Sequence, residues 1–218
     1  MTQQAGQGRF IAFEGGEGAG KSTQARMLTA RLEEGGIVVD LTREPGGTAG
    51  AEAIRDLLLN PPGGKSWGAE AEALLFAAAR SDHVLQRIRP AIAAGAWVVC
   101  DRFVDSSRAY QGGAGGLGDD AITRLHSFGS AGLRPDLTIL VTVSPERVAE
   151  RLAERDAGVS DAIGGRSAEY HARVAASFEV LAKADPEDFA IIDGDAAPDA
   201  VHERVVEAIR ARFSDVAL

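Results

Sequence analysis

Short apolar runs alternate along the chain with longer stretches of amphipathic spacing. Five runs, rich in β-branched and aromatic side chains, cover residues 10–14, 37–41, 97–100, 137–143 and 189–193. Continuous apolar runs of this length are typical of strands buried on both faces of a sheet. Between the runs, apolar residues recur every three or four positions, as in Ala25, Leu28 and Leu32 and again in Val201, Val205 and Ile209. This spacing predicts helices that place one face on a core.

The alternation of strand and helix predicts an α/β fold. Right-handed crossovers return each helix to a face of the sheet, so we expect a central five-stranded parallel sheet flanked by helices on both faces, in three layers. Ligands of such sheets bind beyond the carboxyl ends of the strands. Functional residues are therefore expected directly after each strand.

The organisation of the chain predicts a single domain over residues 1–218, since no repeat or long linker interrupts the alternation. Glycine-rich segments at 63–64, 112–118 and 164–165 are predicted to be mobile loops.

Composition and charge restrict the classes of partner. The chain has 218 residues, 45% of them hydrophobic, which is enough for one sizeable core. Its formal net charge of −9 argues against a general affinity for nucleic acid or anionic membranes. An anionic ligand must then be held by a local site. Only three residues are lysines, so a lysine inside a glycine loop is informative.

The single cysteine, Cys100, allows no intrachain disulfide and is predicted to be a packed thiol at a strand end. Because the first residues form no apolar signal region and no run is long enough to cross a bilayer, we expect a cytoplasmic protein. The four histidines show no metal-ligand spacing and are interpreted as ordinary surface or helix residues.

A phosphate-binding pattern follows the first predicted strand. Residues 15–22 read GGEGAGKS, which fits G-x-x-x-x-G-K-[ST] between a strand and a helix. Backbone N–H groups of such a loop surround a phosphate, Lys21 reaches the β and γ phosphates, and the Ser22 hydroxyl ligates magnesium. A flexible glycine turn with a surface lysine is the alternative. The residues predicted to bind ATP are Gly15, Gly16, Glu17, Gly18, Ala19, Gly20, Lys21, Ser22 and Thr23.

A second magnesium ligand is predicted at Asp101, which ends the apolar run 96–100 in the manner of a Walker B carboxylate. An aspartate in this place can instead cap a turn or a helix. The neighbouring Arg102 favours the catalytic interpretation, because it would place a cation where the transferring phosphoryl group develops charge.

Four segments at strand ends resemble the thymidylate kinase family. They are Glu17-Gly18, the TREPGGT of residues 42–48, the DRF of 101–103 and the DSSRAYQG of 105–112. The LLFAAAR of 74–80 and the RPDLT of 134–138 extend the resemblance, which runs from about residue 9 to the last helix. It implies a P-loop kinase fold that transfers a phosphoryl group from ATP to dTMP with Mg²⁺. It also implies a homodimer, with no nucleic-acid or membrane partner.

The resemblance assigns roles on the dTMP side. Phe76 would stack on the thymine ring, Gln111 would contact the edge of the base with a donor and an acceptor, and Ser107 would add a polar contact. Tyr110 would pack under the deoxyribose, and Glu17 would accept a hydrogen bond from the 3′-hydroxyl. Taken singly, each residue has an alternative as a core aromatic or a solvated loop side chain.

The resemblance also implies that Arg43, Arg80 and Arg102 converge on the phosphate of dTMP and on the phosphoryl group in flight. Guanidinium groups bind phosphate oxygens bidentately, which suits arginine to this task. Any one of them, in a chain rich in arginine, can also be a solvated surface residue.

The chain departs from the family pattern in the lid, a segment at about 151–170 that resembles the part of the family that closes over ATP. Members with this form of phosphate loop usually supply a catalytic arginine from the lid, often where this chain has Ala162. We hypothesise that Arg166, beyond a glycine hinge, supplies that charge, with Arg151 and Arg155 as further candidates. The expected catalytic residues are therefore Lys21, Asp101, Arg102 and Arg166.

Two other functions remain open at this stage. Another nucleoside monophosphate kinase or a deoxynucleoside kinase would carry the same phosphate loop, although residues 43–48 and 105–112 speak against both. A non-catalytic nucleotide-binding switch is the alternative from another class. The chain has no guanine-reading Asn-Lys-x-Asp segment, and a pure binder would not need three arginines on the acceptor side.

Overall fold

A computed structural model describes residues 7–156 and 163–216, with the backbone alone for 152–156. Five strands form one parallel sheet in the order β2-β3-β1-β4-β5. They are β1 (Phe10–Glu14), β2 (Val39–Arg43), β3 (Trp97–Asp101), β4 (Leu137–Thr142) and β5 (Phe189–Asp193). The predicted five-stranded parallel sheet is confirmed.

Helices connect the strands. They are α1 (Lys21–Glu34), α2 (Ala49–Leu59), α3 (Ala69–His83), α4 (Arg89–Ala93), α5 (Val104–Ser107), α6 (Asp119–Ser130), α7 (Pro145–Asp156), α8 (Ala168–Ala184) and α9 (Pro198–Arg212), with a 3₁₀ turn at Pro62–Gly64. A π-helical segment, Val84–Ile88, joins α3 to α4, and a second one, Arg108–Ala114, continues α5.

The core lies on both faces of the sheet. On one face, α1 and α9 pack against side chains of β1, β3 and β4, in a cluster that includes Leu28, Leu32, Val205, Ile209, Ile11, Val99 and Ile139. On the other face, α8 and the two π-helical regions pack in clusters that include Phe178, Leu140, Phe10, Ile88 and Phe103. Helix, sheet and helix form the three predicted layers.

The two edge strands differ from the prediction that all five are fully buried. β2 is only partly buried, and Ile191 in β5 is 57% exposed, because each edge strand has a neighbour on one side only. β2 also begins at Val39 and not at the predicted residue 37. The Ile37 N–H donates to the Leu32 carbonyl and completes the end of α1, so Ile37 belongs to the helix terminus.

The predicted loop at 112–118 is wrong in its first half. Gly112 and Gly113 lie in the π-helical segment Arg108–Ala114, and Gly112 is buried. A Cβ at Gly112 would lie 3.3 Å from the Gly118 carbonyl oxygen, so glycine allows the chain to return closely on itself here.

The two ends of the described chain meet at the edge of the sheet where the strands begin. The Arg9 guanidinium lies 5.3 Å from the Trp97 ring centroid and 4.3 Å from that of Phe213, and it pairs with Asp215. This contact joins the starts of β1 and β3 to the turn after α9.

Cys100 is fully buried in β3 and unpaired, as predicted, and burial raises its pKa well above the usual range. Within residues 7–156 and 163–216, every helix is too short or too polar to cross a bilayer.

Candidate active site

The loop between β1 and α1 has the backbone of an anion cradle. Gly15, Gly18 and Gly20 have φ values of 139°, 70° and 95°. A Cβ at Gly15 would lie 2.4 Å from the Val141 carbonyl oxygen, so only glycine fits there. α1 then begins at Lys21 without an acidic side chain in its first turn, which leaves its N–H groups and positive dipole end for an anion.

Lys21 carries its charge into this cradle. Its side chain is buried, and Nζ donates a 2.7 Å hydrogen bond to the Gly16 carbonyl oxygen. Burial, followed by the nearby charge of Arg102, lowers the pKa of Lys21 to about 8. A buried ammonium beside a second cation is stabilised by an anion, and a phosphate oxygen would supply one.

A pair of oxygen donors fits a magnesium ion. Ser22 Oγ hydrogen-bonds to Asp101 Oδ2, which joins the start of α1 to the end of β3. Asp101 Oδ1 is buried without a hydrogen-bond partner among the described residues. Hydroxyl and carboxylate oxygens are the ligands that Mg²⁺ takes beside nucleotide phosphates, so Ser22 and Asp101 are suited to hold it. Thr23 follows on the same helix turn, with its N–H bonded to the Gly20 carbonyl.

Arg102 occupies the centre of a polar cluster. Its guanidinium donates to Glu17 Oε1 at 2.6 Å, Tyr110 OH at 3.2 Å and Ser106 Oγ at 3.0 Å, and lies 5.0 Å from the Tyr110 ring centroid. Burial raises the pKa of Tyr110 to about 12, so the phenol stays neutral. The structure thus brings Arg102, predicted to contact phosphate, together with Glu17 and Tyr110, both predicted to contact the deoxyribose.

Glu14, at the end of β1, is a fully buried acid beneath this cluster. Its Oε1 accepts hydrogen bonds from the N–H groups of Phe103, at 2.8 Å, and Ser106, at 2.9 Å. Burial, and then the charge of Asp105, raise the pKa of Glu14 to about 7. Glu14 supports the backbone that follows β3 and therefore the position of Arg102.

One cleft of about 830 Å³ collects most of the predicted site. The predicted residues in its wall are Glu17, Gly18, Gly20, Lys21, Ser22, Thr23, Arg43, Phe76, Arg80, Asp101, Arg102, Ser107, Tyr110 and Gln111. Of the remaining predictions, Gly15, Gly16 and Ala19 form the back of the phosphate loop. Arg166 does not line the cleft.

Known proteins resemble the chain over nearly its full length. A family model described as Thymidylate kinase matches residues 13–205. The chain belongs to the thymidylate kinase family. The thymidylate kinase of Rhizorhabdus wittichii is 54% identical over 93% of this chain and 97% of its own length, and that of a Bradyrhizobium species is 49% identical over 95% and 92%. A crystal structure of thymidylate kinase from Ehrlichia chaffeensis, 31% identical, superposes with a TM-score of 0.76 over 93% of this chain and 98% of that one.

The three predicted acceptor-side arginines of this thymidylate kinase family member have different surroundings. Arg43 is exposed at the end of β2 and donates to Glu52 at 3.1 Å. Arg80 is buried, with Nε bonded to Glu44 at 2.7 Å and Nη2 to Ser107 Oγ at 2.8 Å. Arg80 therefore lies beside Ser107, which was predicted to contact the base. Arg80 itself was predicted to contact the phosphate of dTMP.

The side of the cleft predicted for thymine is built on one face of α3. Glu72, Phe76 and Arg80 are spaced by four residues and so lie one above another. Phe76 is half-buried in the cleft wall. Gln111 is buried, and its Nε2 donates to Glu72 Oε1 at 2.8 Å. Sequence analysis did not identify Glu72, although its four-residue spacing from Phe76 was a signal.

The structure separates the candidate lid arginines of this family member. Arg166 donates to Glu72 and to the Tyr170 hydroxyl, and its guanidinium lies 4.6 Å from the Tyr170 ring centroid. Arg151, on α7, lines the cleft and donates to the carbonyl oxygens of Gly18 and Ala19, both at 3.2 Å. Residues 161–162, where the family arginine is expected, and the Arg155 side chain lie outside the described residues.

Of the four histidines interpreted as ordinary surface or helix residues, His83 is the last residue of α3. It is fully buried and lies 2.8 Å from Thr42 Oγ1 and 3.1 Å from Glu44 Oε1. It supports Glu44, which in turn holds Arg80. The part of the chain described by the structure contains no cluster of three or more His, Cys, Asp or Glu side chains suited to a metal ion.

Proposed function

We propose that this protein is a thymidylate kinase that transfers the γ-phosphoryl group of ATP to dTMP, forming ADP and dTDP with Mg²⁺. The observation that carries the proposal is the shared cleft. Lys21 and Ser22 of the phosphate loop line the same space as Phe76 and Gln111. A site for a phosphoryl donor and a site for a pyrimidine acceptor therefore adjoin.

The donor side of the cleft performs charge stabilisation. Backbone N–H groups of residues 18–22 and the Lys21 ammonium bind the ATP phosphates, because the loop and the start of α1 direct positive charge into one cradle. Ser22 and Asp101 hold Mg²⁺, which supplies positive charge to the phosphate oxygens when it is bound. Arg102, next to Asp101, stabilises the charge that develops on the transferring group.

The acceptor side positions dTMP. Its phosphate is already ionised, so no general base is required, and Arg43 and Arg102 bring it into line with the donor. Phe76 stacks on the base while Ser107 and Gln111 contact its edge. Tyr110 and Glu17, adjacent to each other through Arg102, contact the deoxyribose.

The assay that tests this function measures ADP formation from ATP and Mg²⁺ with dTMP, dUMP, dCMP, AMP, GMP and thymidine as separate acceptors. A strong preference for dTMP is the expected result, with turnover lost in Lys21→Ala. Preference for another monophosphate would keep the phosphoryl transfer but overturn the base site. ATP binding without any acceptor-dependent turnover would point to a nucleotide-binding switch.

The assembly we propose is a homodimer of single-domain subunits. Leu74 and Leu85, on α3 and its π-helical extension, are 57% and 70% exposed, and Phe128 on the adjoining α6 is 93% exposed. Apolar side chains grouped on two packed helices favour burial against a second copy. Phe128→Asp is expected to convert the dimer to a monomer in analytical ultracentrifugation, and an unchanged mass would contradict this.

We further propose that residues 151–170 act as the lid and that the protein works in the cytoplasm. The position of Arg151 over the phosphate loop supports the first proposal. The buried, unpaired Cys100 is compatible with a reducing compartment and supports the second.

A further inference from the structure

Glu72 is a buried acid that holds two residues from different parts of the chain. Its Oε1 accepts the 2.8 Å hydrogen bond from Gln111 Nε2, and its Oε2 accepts one from Arg166. The side chain is 8% exposed and does not line the cleft. Glu72 can therefore influence a bound nucleotide only through its partners.

The hydrogen bonds continue from Glu72 back to the segment that carries Gln111. Arg166 also donates to the Tyr170 hydroxyl, which donates to the backbone carbonyl of Tyr110 at 2.9 Å. Tyr110 and Gln111 are consecutive in the π-helical segment. The network thus holds Gln111 through its side chain and Tyr110 through its backbone carbonyl.

The charge of Glu72 determines how the Gln111 amide is oriented. A glutamine amide has a donor end and an acceptor end of almost the same shape, so its surroundings decide which end points where. An ionised carboxylate only accepts hydrogen bonds, and it therefore keeps Nε2 on its own side. Arg166 donates to Oε2, so both oxygens of the Glu72 carboxylate accept a hydrogen bond.

The orientation has a consequence for base selection. One Nε2 hydrogen is bonded to Glu72, so the amide presents Oε1 and its second Nε2 hydrogen to a pyrimidine in a fixed order. The ring nitrogen between the two carbonyl groups of thymine carries a hydrogen and can donate a hydrogen bond to Oε1. The corresponding nitrogen of cytosine carries a lone pair, which would face the lone pairs of Oε1.

We propose that Glu72 is a positioning residue that sets the preference for thymine over cytosine by fixing the Gln111 amide, with Arg166 holding Glu72 in turn. This inference rests on the proposed function and specifies how its acceptor site selects the base. It assigns Arg166 to the acceptor side of the reaction, whereas the sequence predicted a contact with ATP.

The test compares Glu72→Gln with Glu70→Gln, an exposed acid on the same helix. Glu72→Gln keeps the size of the side chain but gives it a donor, which allows the Gln111 amide to turn over. We expect the KM for dTMP to rise about tenfold and the ratio of kcat/KM for dTMP to that for dCMP to fall about tenfold, the effect of one misplaced buried hydrogen bond. The KM for ATP and the melting temperature should stay close to those of the parent.

A second variant, Arg166→Gln, keeps the test decisive if Glu72→Gln does not fold. The Arg166 side chain is 24% exposed, so its replacement leaves no enclosed cavity. It should raise the KM for dTMP and lower the dTMP-to-dCMP ratio in the same direction. In a chain carrying both changes the effects should not add, because they act on one network.

Two results would overturn the inference. In the first, Glu72→Gln keeps the dTMP-to-dCMP ratio of Glu70→Gln. In the second, kcat falls equally for both acceptors together with the melting temperature, which shows that Glu72 only supports the fold. A parent chain that fails to phosphorylate dTMP would overturn the proposed function itself, and this inference with it, before any variant is compared.

Discussion

Arg102 donates a 2.6 Å hydrogen bond to Glu17, so the first residue after β3 is joined to the phosphate-binding loop after β1. Arg102 has a φ of 72°, a value that non-glycine residues adopt mainly where neighbouring contacts hold them. Its guanidinium also donates a hydrogen bond to the Gly15 carbonyl oxygen at 3.2 Å, which helps to stabilise this backbone conformation. The strained backbone thus directs a guanidinium to the junction of the donor and acceptor sides.

Arg102→Lys should lower kcat/KM for dTMP by about a hundredfold or more, because an ammonium cannot replace several fixed guanidinium contacts at the transferring group. The KM for ATP should change little. Steady-state kinetics measures both quantities, and Arg124→Lys, on the exposed surface of α6, is the matched control. A loss of threefold or less would place Arg102 outside the reaction.

Lys21 predicts a pH dependence of ATP use. Its pKa is lowered to about 8, mainly by burial, so the free protein loses this positive charge as the pH rises through about 8. We therefore expect kcat/KM for ATP to fall above that pH, since this parameter reports the free protein. The kcat itself should stay constant to higher pH, because a bound phosphate group stabilises the Lys21 ammonium and keeps it protonated.

Lys21→Arg is the control for that profile. Arginine keeps its charge throughout the accessible range, so the decline above pH 8 should disappear even if the overall rate is lower. A parent profile that is level from pH 7 to 10, or a decline that persists in Lys21→Arg, would assign the titration to another group.

Glu14 predicts a pH dependence of stability. Its pKa is raised from 4.5 to about 7, mainly by burial, so the folded chain binds this proton more tightly than the unfolded chain between those values. The contribution of Glu14 to the free energy of unfolding should therefore decrease as the pH rises from 4.5 to 7, with a slope of at most about 1.4 kcal/mol per pH unit. Above pH 7 this contribution is constant.

Glu14→Gln should remove that slope. The amide oxygen can accept from Phe103 and Ser106, and the amide nitrogen can donate to the Ser106 hydroxyl, so the local bonds survive. Urea unfolding at a series of pH values, with the exposed Glu207→Gln as a control, measures the difference. Parallel profiles for the parent and Glu14→Gln would show that Glu14 is ionised throughout.

Arg151 and Arg166 should have separable effects. Arg151 is bonded to Gly18 and Ala19 of the phosphate loop, so Arg151→Ala should lower kcat/KM for ATP by about tenfold or more. Arg166→Ala should act chiefly on the KM for dTMP. Kinetics with each substrate varied in turn distinguishes them, and a loss of about a thousandfold in kcat for Arg166→Ala would instead support the lid charge predicted from the sequence.

The sequence predicted the fold because its strong signals are local. The apolar runs of β1, β3 and β4 and the glycine-lysine loop before α1 each depend on near neighbours in the chain. The start of β2 was misplaced because the bond from Ile37 to Leu32 competes with strand pairing, and an apolar pattern does not show which contact prevails.

The site was harder to predict where its residues act through others. Glu44 and Glu72 appear in the sequence as ordinary acids, one after an edge strand and one near a helix start. Their importance comes from partners more than 30 positions away, Arg80 for Glu44 and Gln111 for Glu72. The first pairing arises only when α3 packs against the end of β2, and the second only when α3 packs against the π-helical segment after β3.

The pairing of Arg9 with Asp215 has a consequence for the connectivity of the chain. It brings the two ends of the described chain together on the side of the sheet where the strands start, while the cleft lies where they finish. A short linker joining the two ends of the described chain, with new ends opened at the exposed glycines 63–64, should give a circular permutant that retains the cleft. The order in which the strands are synthesised is therefore separable from the arrangement that performs the chemistry.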